Sequence, residues 1–284
     1  MDSKIINREK ILLNESHTKL IISGWGEETY ENSEVERITY LSDGLKIKGY
    51  IAYPKNSESK NFPCIIWNRG GYKNKGAIDQ FTARGMFGRM ASWGYVVLAS
   101  QYRGSPGSEG EEDLGGKDIN DILNLLDIIK EICFADENNL GIEGWSRGGL
   151  MTYLTLMKNN NFKCAILSGA ISNIKEYADQ NAELKNLYEG MLGPEKYNEE
   201  IKNRTIINRI NELPDIPYLL MHGGKDETVP VRQTLEVAEK FTKLGITYKL
   251  VIFENGDHFL KNHRGESDRL RKEWFDKYLK NNNS

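Results

Sequence analysis

Short apolar runs alternating with amphipathic stretches constrain this chain more than any other feature. Cys64–Trp67, Tyr95–Ser100, Leu140–Glu143, Cys164–Leu167, Tyr218–Met221 and Tyr248–Phe253 are strand-sized and largely apolar. Strands hydrophobic on both faces belong in a sheet that is covered on both sides. Helical periodicity falls between them: Phe81–Trp93, then Asp118–Cys133 with Ile119, Ile122, Leu123, Leu126 and Ile129 in register, then Leu150–Met157. A further helix opens with Pro230 in its first turn and stops at Gly245, and Arg269–Leu279 closes the chain as an amphipathic helix. The pattern predicts an α/β architecture with a mostly parallel sheet and helices on both faces. Ahead of it, Val35–Leu41 and Leu45–Tyr53 flank Ser42-Asp43-Gly44, a hairpin signal because Asp and Gly tolerate positive φ.

Two segments stand outside the rhythm. Residues 1–34 are polar with short apolar patches and are read as an N-terminal extension without firm elements. Residues 172–213 are polar and helix-prone, too long for a simple connection, and are read as a small helical cap inserted beside the strand ends. With no linker or repeat elsewhere, the 284 residues are expected to form one domain. Acidic residues number 41 against 38 basic, a net charge of −3, which argues against a nucleic-acid partner. No apolar run approaches the ~20 residues that span a bilayer, so no membrane association is expected. The three cysteines, Cys64, Cys133 and Cys164, form no C-x-x-C pair, and Met1–Asn14 has no signal-peptide core; a reduced, cytoplasmic protein is the expectation.

Chemistry concentrates in Gly144-Trp145-Ser146-Arg147-Gly148-Gly149, a G-x-S-x-G between the strand Leu140–Glu143 and the helix from Leu150. A serine on so tight a turn is held at strained backbone angles, and side chains at the flanking glycines would clash with strand and helix. The following helix points its free N–H groups at charge developing near Ser146. A hydroxyl needs a base, and in α/β sheets bearing this turn the partners follow in the order serine, acid, histidine. Among His17, His222, His258 and His263, only the last two come late enough. His258 sits on the glycine-bearing loop Asn255-Gly256-Asp257-His258-Phe259 after the last strand and is the better base, since His263 lies among Lys261, Asn262 and Arg264. The acid is expected after the preceding strand, in His222-Gly223-Gly224-Lys225-Asp226-Glu227, where Asp226 leads and Glu227 is its rival. Asp257 adjoins His258, and neighbouring side chains seldom face each other. His222 is read as a support for the loop. The oxyanion donors are expected to be the N–H of Arg147 and that of Gly71, with Tyr72 beside it, in Arg69-Gly70-Gly71-Tyr72. No strand leads into G-x-G-x-x-G, Gly223-Gly224-Lys225 lacks P-loop spacing, and no H-E-x-x-H occurs, so neither cofactor nor metal is expected.

With these residues placed, the chain resembles the catalytic domain of the prolyl oligopeptidase family of the α/β-hydrolase fold, from about Val35 to Leu279. The resemblance rests on Tyr102-Arg103-Gly104-Ser105-Pro106-Gly107, Gly141-Ile142-Glu143 running into the serine turn, His222 to Asp226 with Val229-Pro230, and Gly256-Asp257-His258. It implies Ser146 as nucleophile, Asp226 as acid and His258 as base, acting on a small peptide or acyl ester. A peptidase or acyl-peptide hydrolase is the leading expectation, a carboxylesterase the alternative, and a non-catalytic binding member of the fold a third reading. Family members commonly carry His or Tyr before the paired glycines; Arg69 stands there, which shifts weight to backbone donors. The β-propeller of many family peptidases has no room in residues 1–34.

Overall fold

The structure is a computed structural model and describes residues 3–57 and 61–280. In chain order the elements are β1 (Ile5–Lys10), α1 (Glu15–Trp25), α2 (Glu27–Glu31), β2 (Ser33–Ser42), β3 (Leu45–Pro54), β4 (Phe62–Asn68), α3 (Gln80–Ser92) and β5 (Val96–Ser100). Then come α4 (Ile119–Glu131), β6 (Ala135–Trp145), α5 (Arg147–Lys158), β7 (Phe162–Ser168), α6 (Ile174–Gln180), α7 (Ala182–Leu192) and α8 (Pro194–Arg204). The chain ends with β8 (Tyr218–Gly223), α9 (Arg232–Leu244), β9 (Tyr248–Phe253) and α10 (Arg264–Phe275). No helix among the described residues is long and apolar enough to cross a membrane.

The strands form one nine-stranded sheet in the order β1-β2-β3-β5-β4-β6-β7-β8-β9. Pairing is antiparallel from β1 through β3 to β5 and parallel from β5 onward. Alternation along the strands builds two cores. Cys64, Ile66, Val96 and Leu98 face α4, α5 and α9, meeting Ile122, Leu150 and Phe241. Ile65, Trp67, Val97 and Ala99 face α3 and α10, meeting Phe87, Met90 and Phe275. The Asp43-Gly44 turn has φ 51° and 80°, and it pairs Ser42 with Leu45.

Residues 1–34 hold elements that hydrophobic patterning does not reveal. β1 extends the sheet along β2, and α1 and α2 pack on α3. Arg84 of α3 fastens this addition from within: Nη1 donates to Thr29 O and Ser33 Oγ, both at 2.9 Å, and Nη2 to Tyr30 O at 2.7 Å. Gly85 lets α1 approach, since a Cβ there would lie 2.7 Å from the Trp25 ring.

The topology also creates the functional crevice. β4 and β6 are neighbours, yet α3 leaves β4 for one face and α5 leaves β6 for the other. Connections that diverge this way open a cleft at the carboxyl ends of the strands, where ligands bind in open α/β sheets.

Candidate active site

Ser146 joins β6 to α5 at φ 58° and ψ −124°, a conformation that costs a non-glycine residue about 1–3 kcal/mol. Hydrogen bonds on both sides hold it there: its N–H donates to Ser168 O at 2.9 Å, and its carbonyl accepts from Gly149 N–H at 2.9 Å. The flanking glycines are steric requirements. A Cβ on Gly144 would stand 2.1 Å from Gly148 O, and one on Gly148 would stand 2.0 Å from Asn68 O. The helix start leaves the Arg147 N–H without an intrahelical partner. Across the crevice, Gly70 packs so closely that a Cβ there would lie 3.1 Å from Ser146 Cβ, and Gly71 turns away at φ 64°.

Asp226 follows β8 and uses its two oxygens differently. Oδ1 accepts from Thr228 N–H at 2.9 Å and Val229 N–H at 2.8 Å, fixing the turn. Oδ2 lies 2.7 Å from His258 Nδ1 and 3.1 Å from His222 Nε2. Burial opposes ionisation of Asp226, but hydrogen bonds from His222, His258 and Val229 outweigh it and hold the carboxyl well below the usual carboxylate range. An ionised carboxylate only accepts, so the His258 Nδ1 that faces it carries a proton. The His258 side chain is 9% exposed, and its carbonyl accepts from the indole of Trp145, the residue before Ser146, at 3.0 Å. The loop after β7 completes the contact, because a Cβ on Gly169 would sit 3.3 Å from Asp226 Oδ2 and 3.5 Å from the His258 ring.

The other candidates lie elsewhere. His222 is fully buried; its Nε2–H is shared between Val229 O at 2.8 Å and Asp226 Oδ2 at 3.1 Å, and Nδ1 lies 2.7 Å from Thr234 Oγ1, so it braces the Asp226 turn. Glu227 is exposed, Asp257 accepts from Lys261 N–H at 3.0 Å, and His263 Nε2 meets Glu254 O at 2.9 Å. Gly71, Tyr72, Ser146, Arg147 and Thr228 line one cavity of about 300 Å³, whose far wall is Ile171, Ile174 and Tyr177 with Leu184, Leu187 and Tyr188 of α7. Arg69 turns inward and is fully buried. One partner was hidden in the sequence: the Trp145 indole, which holds the carbonyl of His258.

A serine elbow on the carboxyl edge of this sheet, beside a buried carboxylate–imidazole pair, defines the α/β-hydrolase class. Comparison with known proteins narrows it. The model of the prolyl oligopeptidase family matches residues 82–282, and the chain belongs to that family of serine peptidases. The uncharacterized peptidase YtmA of Bacillus subtilis (strain 168) is 31% identical over 210 residues, spanning 73% of this chain and 79% of the relative. Pyrococcus horikoshii acylaminoacyl peptidase superposes with a TM-score of 0.76 at 25% identity, over 94% of this chain and 44% of that one. An acylaminoacyl peptidase in complex with Z-Gly-Gly-Phe-chloromethyl ketone gives 0.74 at 26% identity, over 89% and 43%. The chain therefore spans less than half the length of these solved peptidases.

Proposed function

We propose that Ser146, His258 and Asp226 form a catalytic triad that cleaves a short peptide or N-acylated amine through an acyl-enzyme. The observation that carries this reading is the 2.7 Å contact between Asp226 Oδ2 and His258 Nδ1, on a loop tied to the residue before the strained serine. His258 Nε2 takes the Ser146 hydroxyl proton as Oγ attacks the carbonyl carbon. The N–H groups of Gly71 and Arg147 hold the oxyanion. The imidazolium then protonates the departing amine, and water, deprotonated by the same nitrogen, releases the acyl group. The apolar wall of the adjoining cavity suits an apolar side chain next to the scissile bond. In this reading the chain is one catalytic domain with α6 to α8 as a cap. Burial pushes the Cys64 and Cys164 thiols up, which keeps them inert, and the absence of a disulfide among Cys64, Cys133 and Cys164 suits a reducing compartment such as the cytoplasm.

The test compares kcat/KM on short peptide anilides, N-acyl amino acid anilides and simple acyl esters, for wild type and Ser146→Ala. Hydrolysis of anilides that falls at least about 1,000-fold in the variant is expected. Turnover of esters alone favours the carboxylesterase, and an equally active Ser146→Ala overturns the triad.

A further inference from the structure

The two oxyanion donors proposed above lie on segments far apart in sequence, and such sites work only when held to within about 0.5 Å. One buried side chain touches both segments. Glu112, in the connection between β5 and α4, has a side chain only 6% exposed. Its Oε1 accepts from Nη2 of Arg147 at 2.9 Å and from Nη2 of Arg69 at 3.2 Å. Its Oε2 accepts from the backbone N–H of Lys73 at 2.6 Å.

Arg69 carries this constraint to a particular peptide plane. Its Nη1 donates to the carbonyl of Gly70 at 3.0 Å, and its Nε donates to Gln101 O at 3.0 Å. In a trans peptide the C=O and the following N–H point in opposite directions. Fixing the Gly70 carbonyl on Arg69 therefore aims the Gly71 N–H away from the buried guanidinium, and Gly71 borders the cavity that holds Ser146. The guanidiniums of Arg69 and Arg147 both lie over the Tyr102 ring at 5.1 Å, so this corner gathers two positive charges. Asp118 Oδ2 stands 3.9 Å from Arg147 Nη1, too far for a hydrogen bond, which leaves Glu112 as the anion bonded to both.

We propose that Glu112 is the positioning residue of the oxyanion hole, setting the Gly70–Gly71 peptide through Arg69 and the Ser146–Arg147 turn through Arg147. The proposal rests on the serine-hydrolase reading. Glu112 touches no reacting atom; it lowers the barrier by presetting donors, so its loss acts on the transition state rather than on substrate binding.

The experiment measures ester or anilide hydrolysis, and inhibition by a boronic acid that adds to the serine as a tetrahedral anion, for wild type, Ser146→Ala and Glu112→Gln. In Glu112→Gln, kcat is expected to fall about 10- to 100-fold with KM within about threefold. The boronate inhibition constant should rise in the same proportion, a change that a merely structural role does not produce in a variant melting near the wild-type temperature. If Glu112→Gln does not fold, Arg69→Lys carries the test, since one ammonium cannot replace the fork that joins Glu112 to Gly70 O; the same kcat-selective loss is expected. Wild-type kcat and boronate affinity in the folded variant overturn the proposal while the triad stands. An active Ser146→Ala overturns both.

Discussion

Asp226 is the residue at which turn geometry and chemistry meet. The backbone N–H groups of Thr228 and Val229 fix its side chain on one oxygen before His258 engages the other. Asp226→Asn keeps the shape but offers an amide to Nδ1, so the imidazole loses its preferred tautomer and kcat should drop by about 10⁴. The same substitution has a pH signature in stability. The folded carboxyl titrates below its ordinary value, so its stabilising contribution is complete above the usual carboxylate pKa and is lost as pH falls through the depressed one. Urea-unfolding free energies of wild type and Asp226→Asn should differ most near neutrality and begin to converge only below about pH 4; a gap independent of pH contradicts the ionised carboxylate.

At the scale of elements, strand and helix order was readable because each central strand has a mostly apolar stretch buried on both faces. β1 gives no such signal: only Ile5 is half-buried and the rest is exposed, and it is held by backbone pairing and by ion pairs such as Arg8 with Glu36. Glu112 was illegible for a related reason. An acidic run looks solvated until the fold buries Arg69 and Arg147 against it. Arg84 tests the N-terminal addition. Arg84→Ala removes the donor that ties the carbonyls of Thr29, Tyr30 and Ser33 to α3 and should cost about 1–3 kcal/mol, seen as a lower unfolding midpoint and faster proteolysis ahead of β2. The cap is tested by Leu184→Trp, which places bulk in the cavity of about 300 Å³. Its kcat/KM should fall more for substrates with a bulky apolar side chain than for acetyl esters; equal loss for both contradicts the pocket assignment.

For the whole molecule, the organising fact is the reversal of strand order at β4, which sends α3 and α5 to opposite faces. Loops from β4, β6, β7, β8 and β9 then converge on one rim, where Asp226 meets His258 and where the proposed triad sets both against Ser146. The most direct measurement is reaction of the folded protein with a fluorophosphonate, with the adduct mapped by mass spectrometry, for wild type and His258→Ala. One adduct on Ser146 is predicted, formed at least about 100-fold more slowly in His258→Ala. An adduct on another residue, or an undiminished rate without the imidazole, would contradict the account.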